Sequence, residues 1–295
     1  MLITPELLIG ALITGLGLGS MYGLLALGFT ITYAVSSTVN FSQGSSMMLG
    51  AVLAYSFIVT WGWPAPLGVI AGLVLCAAYG LAVERFAVRP FVQRGSNAWL
   101  MATVAVGIVA DNLVLFTYGK EPRRFPSPLA STPVEIFGTG VYPLQLVIPA
   151  VGLALAVGLH LVSRRTITGK ALLAVVQNPD AARLMGINVG RAIAASFAIS
   201  TVFAGVAGML IAPLFNIQAT MGILFGIKAF AVAILGGIMS AWGVMIAGIL
   251  FGITEALITT LFGSVYTQIV MFALVIVALA ARPDGLFGRA AVKKV

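Results

Sequence analysis

The sequence predicts an all-α, polytopic transmembrane helical bundle, and three observations predict it. The chain of 295 residues is 60% hydrophobic and only 8% charged, whereas soluble domains carry about 25% charged residues. Its mean hydropathy is +1.10, more apolar surface than a soluble fold can hide. Its apolar segments are continuous runs, not the alternating strands of about ten residues that build a barrel. Lipid allows only these two ways of satisfying the backbone, so the spans are helices.

Apolar runs fall near Leu7–Ala34, Met47–Thr60, Leu67–Val83, Trp99–Tyr118, Leu144–Val162, Ala192–Ala212, Ala229–Met239, Gly243–Leu261 and Thr267–Ala280. A spanning helix needs about 20 apolar residues and several runs are shorter, so the expectation is about eight or nine crossings, some broken or short. The ambiguous stretches lie around Ser36–Ser46 and Gly222–Gly243. One domain, residues 1–295, accounts for all of them. The first run lacks a basic leader and is too long for a signal peptide, so it reads as the first membrane helix. The single cysteine, Cys76, excludes an internal disulfide and offers no metal cluster.

The net charge of +8 would point to nucleic acid in a soluble protein. Here the bases gather at the ends of apolar runs, which is the pattern of membrane topology. One group is Arg85, Arg89 and Arg94; a second is Arg164, Arg165, Lys170, Arg183 and Arg191; a third is Arg282, Arg289, Lys293 and Lys294. All three can lie on the cytoplasmic side with single helices crossing between the first two. The loop Gly119–Val141 is then external, although it carries Lys120, Arg123 and Arg124 beside Glu121 and Glu135. Its stiff, proline-rich part, Glu121–Pro128, is either a docking site for a soluble partner or a simple surface connection. The C-terminus is expected inside; the side of the N-terminus depends on the count.

Glycines recur four apart at Gly15-Gly19-Gly23, Gly68-Gly72, Gly222-Gly226 and Gly248-Gly252, a spacing that lets helix backbones approach closely. Two polar breaks interrupt the apolar pattern. One contains Asn40, Gln43, Gly44 and Ser45; the other contains Asn216, Gln218 and Gly222. Paired breaks in corresponding places are a feature of transporter repeats and of their substrate pathways. Polar turns at helix ends read equally well.

Residues able to carry catalysis are scarce. The one histidine, His160, lies near a basic helix end and reads as interfacial. Gly169-Lys170 resembles the end of a phosphate loop, but Arg164 stands where its first glycine belongs and Ala171 replaces the Ser or Thr that would hold magnesium. No catalytic residue, metal site or cofactor is expected in this chain. Asp111, Lys228 and Glu255 sit within or at the edge of apolar runs, where a charge needs a partner or water. Each is either a pathway or gating group or half of a structural pair, and a Lys228–Glu255 pair is sterically open.

The polar stretch Thr168–Ile187 is more ordered than a slack loop. Gly169 to Gln177 is free of helix breakers and sets Leu172, Val175 and Val176 on one face. Asn178 reads as an N-cap, Pro179 as the first helical position and Gly186 as a C-terminal stop. Two short helices joined by a bend, on the basic side of a membrane, suit a transport subunit pushed by a separate motor. A self-standing channel or secondary transporter has no use for them, and would need a coupling-ion site that three scattered charges supply poorly. An intramembrane enzyme would need a nucleophile and base that are missing.

The chain resembles the integral-membrane permeases of the branched-chain (hydrophobic) amino-acid ABC importer family. The resemblance runs nearly end to end and is carried by Tyr22–Gly28, Val39–Gly44, Met48–Ala51, Thr168–Ile187, Ala204–Gly208, Gly226–Phe230, Leu235–Gly237 and Arg282–Gly288. It implies an inner-membrane half-channel paired with a second, related permease, driven by two cytoplasmic ATPase subunits that hold ATP and magnesium, and supplied by a periplasmic binding protein. It implies that residues 168–187 are the ATPase coupling segment, with Gly169, Lys170, Gln177, Asn178, Asp180, Ala182, Arg183, Met185 and Gly186 as its contacts. A bulky residue at Ala182 or Gly186 would then uncouple hydrolysis from transport. The pathway candidates are Asn40, Gln43, Ser45, Asp111, Asn216, Gln218, Lys228 and Glu255. The family commonly has His-Gly-Glu where this chain has Gln43-Gly44-Ser45, and a glutamine where it has Asp111. If the neutral segment lines the route, the substrate need not be an ordinary amino acid; relatives of the family also import urea, short amides and aromatic acids.

Overall fold

The computed structural model describes residues 4–136 and 138–288; Arg289, Lys293 and Lys294 of the last basic group lie outside them. Eight helices are long and apolar enough to cross a membrane: α1 Pro5–Ser36, α2 Gln43–Thr60, α3 Ala65–Val92, α4 Trp99–Tyr118, α5 Pro143–Arg165, α8 Val189–Ile211, α10 Ala241–Phe262 and α11 Ser264–Ala281. A shorter apolar helix, α9, spans Met221–Gly236. The expected short or broken segments are therefore α2 and α9. Between α5 and α8 lie α6, Ile167–Gln177, and α7, Pro179–Leu184. A hairpin of β1, Val134–Ile136, and β2, Thr139–Val141, precedes α5.

Contacts fix the direction of each helix. Thr139 Oγ1 donates to the Glu6 carbonyl at 2.7 Å, which sets the start of α1 beside the hairpin. Val35, at the other end of α1, packs with Val175, Ala182 and Val189 of α6, α7 and α8. The bundle thus has a hairpin end and a basic end. Ile193 of α8 also touches Val83, Ala87 and Val88 of α3, so the first two arginine groups share the basic end, as expected. Tyr55 of α2 meets Tyr118 of α4 and Phe125 at the hairpin end.

Following these contacts along the chain divides the bundle into two four-helix units of opposite sense. Helices α1 to α4 run toward the basic end, back, toward it and back. Helices α8 to α11 start from the basic end and run the reverse course, with α5 as the connecting span. The first helix of each unit packs on the third helix of the other. Along α1 and α10, Gly15, Gly19 and Gly23 face Gly248 and Gly252, where an added Cβ on Gly19 would lie 2.7 Å from the Ile249 Cα. Along α8 and α3, Gly205 faces Cys76, Gly80 faces Phe197 and Gly72 faces Met209. Small residues at these crossings replace the missing hydrophobic drive between helices in lipid with close van der Waals contact.

The two polar breaks are where the units meet. α2 and α9 each begin inside the bundle, from opposite sides, and their first turns cross. A Cβ on Gly44 would strike the Gly222 carbonyl, one on Gly222 the Gly44 carbonyl, and one on Gly226 would sit 3.0 Å from the Gly44 Cα. Paired discontinuous helices in two inverted halves match the repeat that the breaks hinted at.

Candidate functional site

The breaks hold residues of two different kinds. Asn40 is fully buried and its Oδ1 accepts from the Ser42 backbone N–H at 3.1 Å and from Ser42 Oγ at 2.6 Å. It turns the chain into α2. Gln43, also fully buried, donates from Nε2 to the Ser200 carbonyl at 3.0 Å, and its Oε1 accepts from Ser200 Oγ at 3.0 Å. Ser200 Oγ lies within 2.9 Å of the Gly28 carbonyl as well. Gln43 therefore ties α1, α2 and α8 together.

Ser45 faces another way. Its Oγ donates to the Gly107 carbonyl at 3.2 Å, and it lines a cavity of about 400 Å³ with Asp111, Phe29, Phe41 and Phe230. The Oδ1 atom of Asp111 is buried without a partner. This cavity lies against the Gly44–Gly222 crossing.

In the second break, Asn216 and Gln218 are exposed and line a pocket of about 540 Å³ that Lys228 also lines. Lys228 Nζ donates to Glu255 Oε1 at 2.5 Å, so the pair left open by the sequence is formed. Lys228 is 9% and Glu255 8% exposed. Tyr22 OH accepts from the same ammonium at 3.4 Å. Glu255 Oε2 is buried without a partner. The pair forms the inner wall of a cavity of about 900 Å³ whose lining reaches Glu6 and Thr139 at the hairpin end and includes Thr14, Thr259 and Thr267. Of the eight pathway candidates, the structure joins Asn216, Gln218, Lys228 and Glu255 in one region and Ser45 with Asp111 in another. Asn40 and Gln43 belong to neither. The sequence marks Tyr22 only as the first residue of a family motif and not as a site residue; a tyrosine flanked by the α1 glycines Gly19 and Gly23 was its available signal.

At the basic end the two short helices form, the second with its expected Asn178 cap and Gly186 stop and the first with a Thr166 cap that was not expected. Thr166 Oγ1 accepts from the Gly169 N–H at 3.0 Å and opens α6. Asn178 Oδ1 accepts from Asp180 and Ala181 N–H at 3.1 and 3.0 Å and opens α7. Gly186 ends it at φ 82°, a left-handed backbone that favours glycine. Lys170, Gln177, Asn178, Asp180, Arg183, Met185 and Gly186 are exposed. Gly169 and Ala182 are not. Gly169 is pressed against the backbone of Ser163, and Ala182 packs beneath the segment on Val35, Val175 and Val189. A bulky residue at Ala182 thus disrupts the chain's own packing before any partner's, and one at Gly186 acts through backbone strain, since a Cβ there meets nothing within 4 Å. Apolar side chains dominate the surface, Met185 among the expected contacts and Ile167 and Leu184 beside them: Ile167 is 88%, Leu184 90% and Met185 82% exposed.

The proline-rich loop is a fixed part of the hairpin end. Arg123 exchanges backbone hydrogen bonds with Ile217 at 3.0 and 2.8 Å, which clamps the loop onto the second break. Its guanidinium sits 4.3 Å from the Tyr118 ring centroid and donates to the Tyr118 carbonyl at 2.6 Å. A cation held this way on an aromatic face accounts for arginine at the end opposite the other basic groups. His160 lies near the basic end with its ring 5.9 Å from that of Trp242.

Comparison with known proteins agrees with this geometry. The family model described as the permease component of branched-chain amino acid transport systems matches residues 11–279. The chain is 33% identical to the high-affinity branched-chain amino acid transport system permease protein LivH of Escherichia coli (strain K12), over 95% of this chain and 96% of that one. It is 33% identical to the corresponding permease BraD of Pseudomonas aeruginosa, over 96% and 97%. Among solved structures it is similar in fold to a chain of PsaBC from Streptococcus pneumoniae, with a TM-score of 0.50 at 12% identity, covering 93% of this chain and 91% of that one. The family-model match over most of the chain and the 33% identity to these permeases over nearly their whole length lead to one conclusion: the chain belongs to the family of permease components of branched-chain amino acid transport systems.

Proposed function

We propose that this chain is one half of the membrane channel of an ATP-driven importer for branched-chain or other hydrophobic amino acids, in a cytoplasmic membrane. The observation that carries the reading is the capped α6–α7 segment at the basic end. It presents Ile167, Leu184 and Met185 to the outside while its own buried face is anchored to α1 and α8. Exposed apolar side chains on a rigid segment need a partner. By the excess of arginine and lysine at that end it faces the cytoplasm, where the partner is an ATPase subunit that carries ATP and magnesium. The hairpin end then faces the compartment from which a soluble binding protein delivers substrate. The apolar outer faces of α4, α5 and α11, which include Phe116, Leu153 and Ile269, meet lipid or a second, related permease.

On this reading Asn216, Gln218, Lys228 and Glu255 belong to the substrate route, and Ser45 and Asp111 to a second polar site beside it. The test is uptake of labelled leucine into proteoliposomes that hold this chain with its partner permease and ATPases, with the binding protein supplied. Uptake is expected only with ATP. The variant Leu184→Asp/Met185→Asp should reach the membrane yet lose at least about 90% of uptake, since two desolvated apolar anchors become charges. Undiminished ATP-driven uptake in that variant would remove α6–α7 as the coupling surface. Uptake of urea or an aromatic acid in place of leucine would keep the importer and move its substrate.

A further inference from the structure

We propose that Lys228 and Glu255 are the recognition site for the zwitterionic head of an α-amino acid, with the substrate carboxylate received by the Lys228 ammonium and the substrate ammonium by Glu255. This deepens, and rests on, the reading of the chain as an amino-acid importer.

The pair is the one ion pair that the described residues place against a large cavity inside the spans. Its placement is unfavourable for a purely structural element. Two buried charges carry a large desolvation penalty, and a pair kept for packing does better as two apolar side chains. A structural pair also needs the remaining lone pairs and protons satisfied, and this one lacks that. Glu255 Oε2 is buried with no partner. The Lys228 ammonium has three N–H groups, yet it reaches only Glu255 Oε1 at 2.5 Å and the Tyr22 hydroxyl at 3.4 Å. The unfilled valences belong to opposite charges and lie side by side. A ligand with one anionic and one cationic group on the same carbon can fill both.

The surroundings suit such a ligand. The pair closes a cavity of about 900 Å³ whose lining reaches the hairpin end, where the delivered substrate arrives. Thr14, Thr259 and Thr267 add hydroxyls near the pair, and Leu18 and Ala256 supply apolar wall for a hydrocarbon side chain. A solute with only one charge would satisfy one member and leave the buried valence of the other unfilled, which gives discrimination against lone acids and amines. Lys228 lies on α9 and Glu255 on α10, so ligand insertion between them acts on the contact of a discontinuous helix with its neighbour.

The test uses the assembled transporter in proteoliposomes with its binding protein, and L-leucine as the probe. The decisive variant removes both charges, Lys228→Met/Glu255→Met. A structural pair tolerates removal of both partners, so a structural role predicts leucine uptake within about twofold of wild type. Recognition predicts assembly retained and uptake reduced by about tenfold to a hundredfold, the loss of two charge-assisted hydrogen bonds to substrate. If that variant does not assemble, the exchange Lys228→Glu/Glu255→Lys keeps a pair and gives the same reading: wild-type uptake overturns the proposal, and lost uptake in an assembled complex supports it. Wild-type uptake of leucine with an unaffected double variant overturns the site alone. A wild-type transporter that ignores leucine and carries urea or 4-methylpentanoate overturns both the site and the amino-acid reading.

Discussion

Gln43 illustrates how an informative residue can carry structure while its neighbour carries a site. Both ends of its amide are bonded to Ser200, and the side chain has no exposure. Gln43→Leu should therefore remove the donor to the Ser200 carbonyl, leave Ser200 Oγ with the Gly28 carbonyl alone, and lower the stability of the membrane-embedded complex by about 1–3 kcal/mol, read as a lower melting temperature in detergent. Substrate preference should be unchanged, and a change of preference with unchanged stability would return Gln43 to the route. Two positions on, Ser45 lies in the cavity of Asp111. About half a turn of helix separates a tie from a cavity wall, and residue type and spacing carry no record of which is which. Lys228 and Glu255 were legible as buried charges from their apolar context. Their union was not, because 27 residues and a helix reversal lie between them.

At the scale of the element, the Asn178 cap and the Gly186 stop were legible because they are local chemistry, and the Thr166 cap, equally local, was found only in the structure. Thr166 and Asn178 serve α6 and α7 through hydrogen bonds to residues two or three positions on. The outward face of the segment was not legible, because exposure of Leu184 and burial of Ala182 depend on Val35 and Val189, far away in the chain. The glycine periodicity announced close-packed helices without naming their partners. Gly19→Val should block the α1–α10 crossing, since a Cβ at Gly19 already lies 2.7 Å from the Ile249 Cα. Overpacking of this kind costs about 1–3 kcal/mol where side chains give way and more where backbone must move. The expected result is loss of assembled complex in the membrane fraction, while Gly158→Val on α5, where a Cβ meets nothing within 4 Å, should assemble normally. Equal assembly of the two variants would deny the crossing.

At the scale of the molecule, the opposed courses of the two four-helix units and the connecting α5 put the start of α1 and the end of α11 on opposite sides. The hairpin contact of Glu6 and the clustering of Val35 with α6 and α7 settle the direction of α1, which hydropathy left open. In a Cys76→Ala background, Glu6→Cys should react with a membrane-impermeant maleimide added to intact cells or spheroplasts. Arg183→Cys should react only after permeabilisation. The reverse pattern would invert the bundle, and labelling of both sites from one side would refute the odd number of crossings. The inverted arrangement also explains why α2 and α9 are short. Each starts inside the bundle, and their glycine-lined first turns occupy the space that a full-length helix would fill.

The sequence by itself determined that this is a helical membrane protein, where most spans lie, which side is basic, and that a capped two-helix segment interrupts the spans. These follow from composition, hydropathy, charge and cap chemistry, all properties of neighbouring residues. Only the tertiary structure decided which helices cross, that the two polar breaks meet, that Gln43 is a tie, that Lys228 and Glu255 pair at one cavity, and that Tyr22 touches the pair. In lipid every spanning helix is apolar around most of its circumference, so hydropathy does not tell the face that packs from the face that meets lipid. Close approach at small residues and the pairing of the few buried polar groups settle it, and both depend on residues distant in the chain.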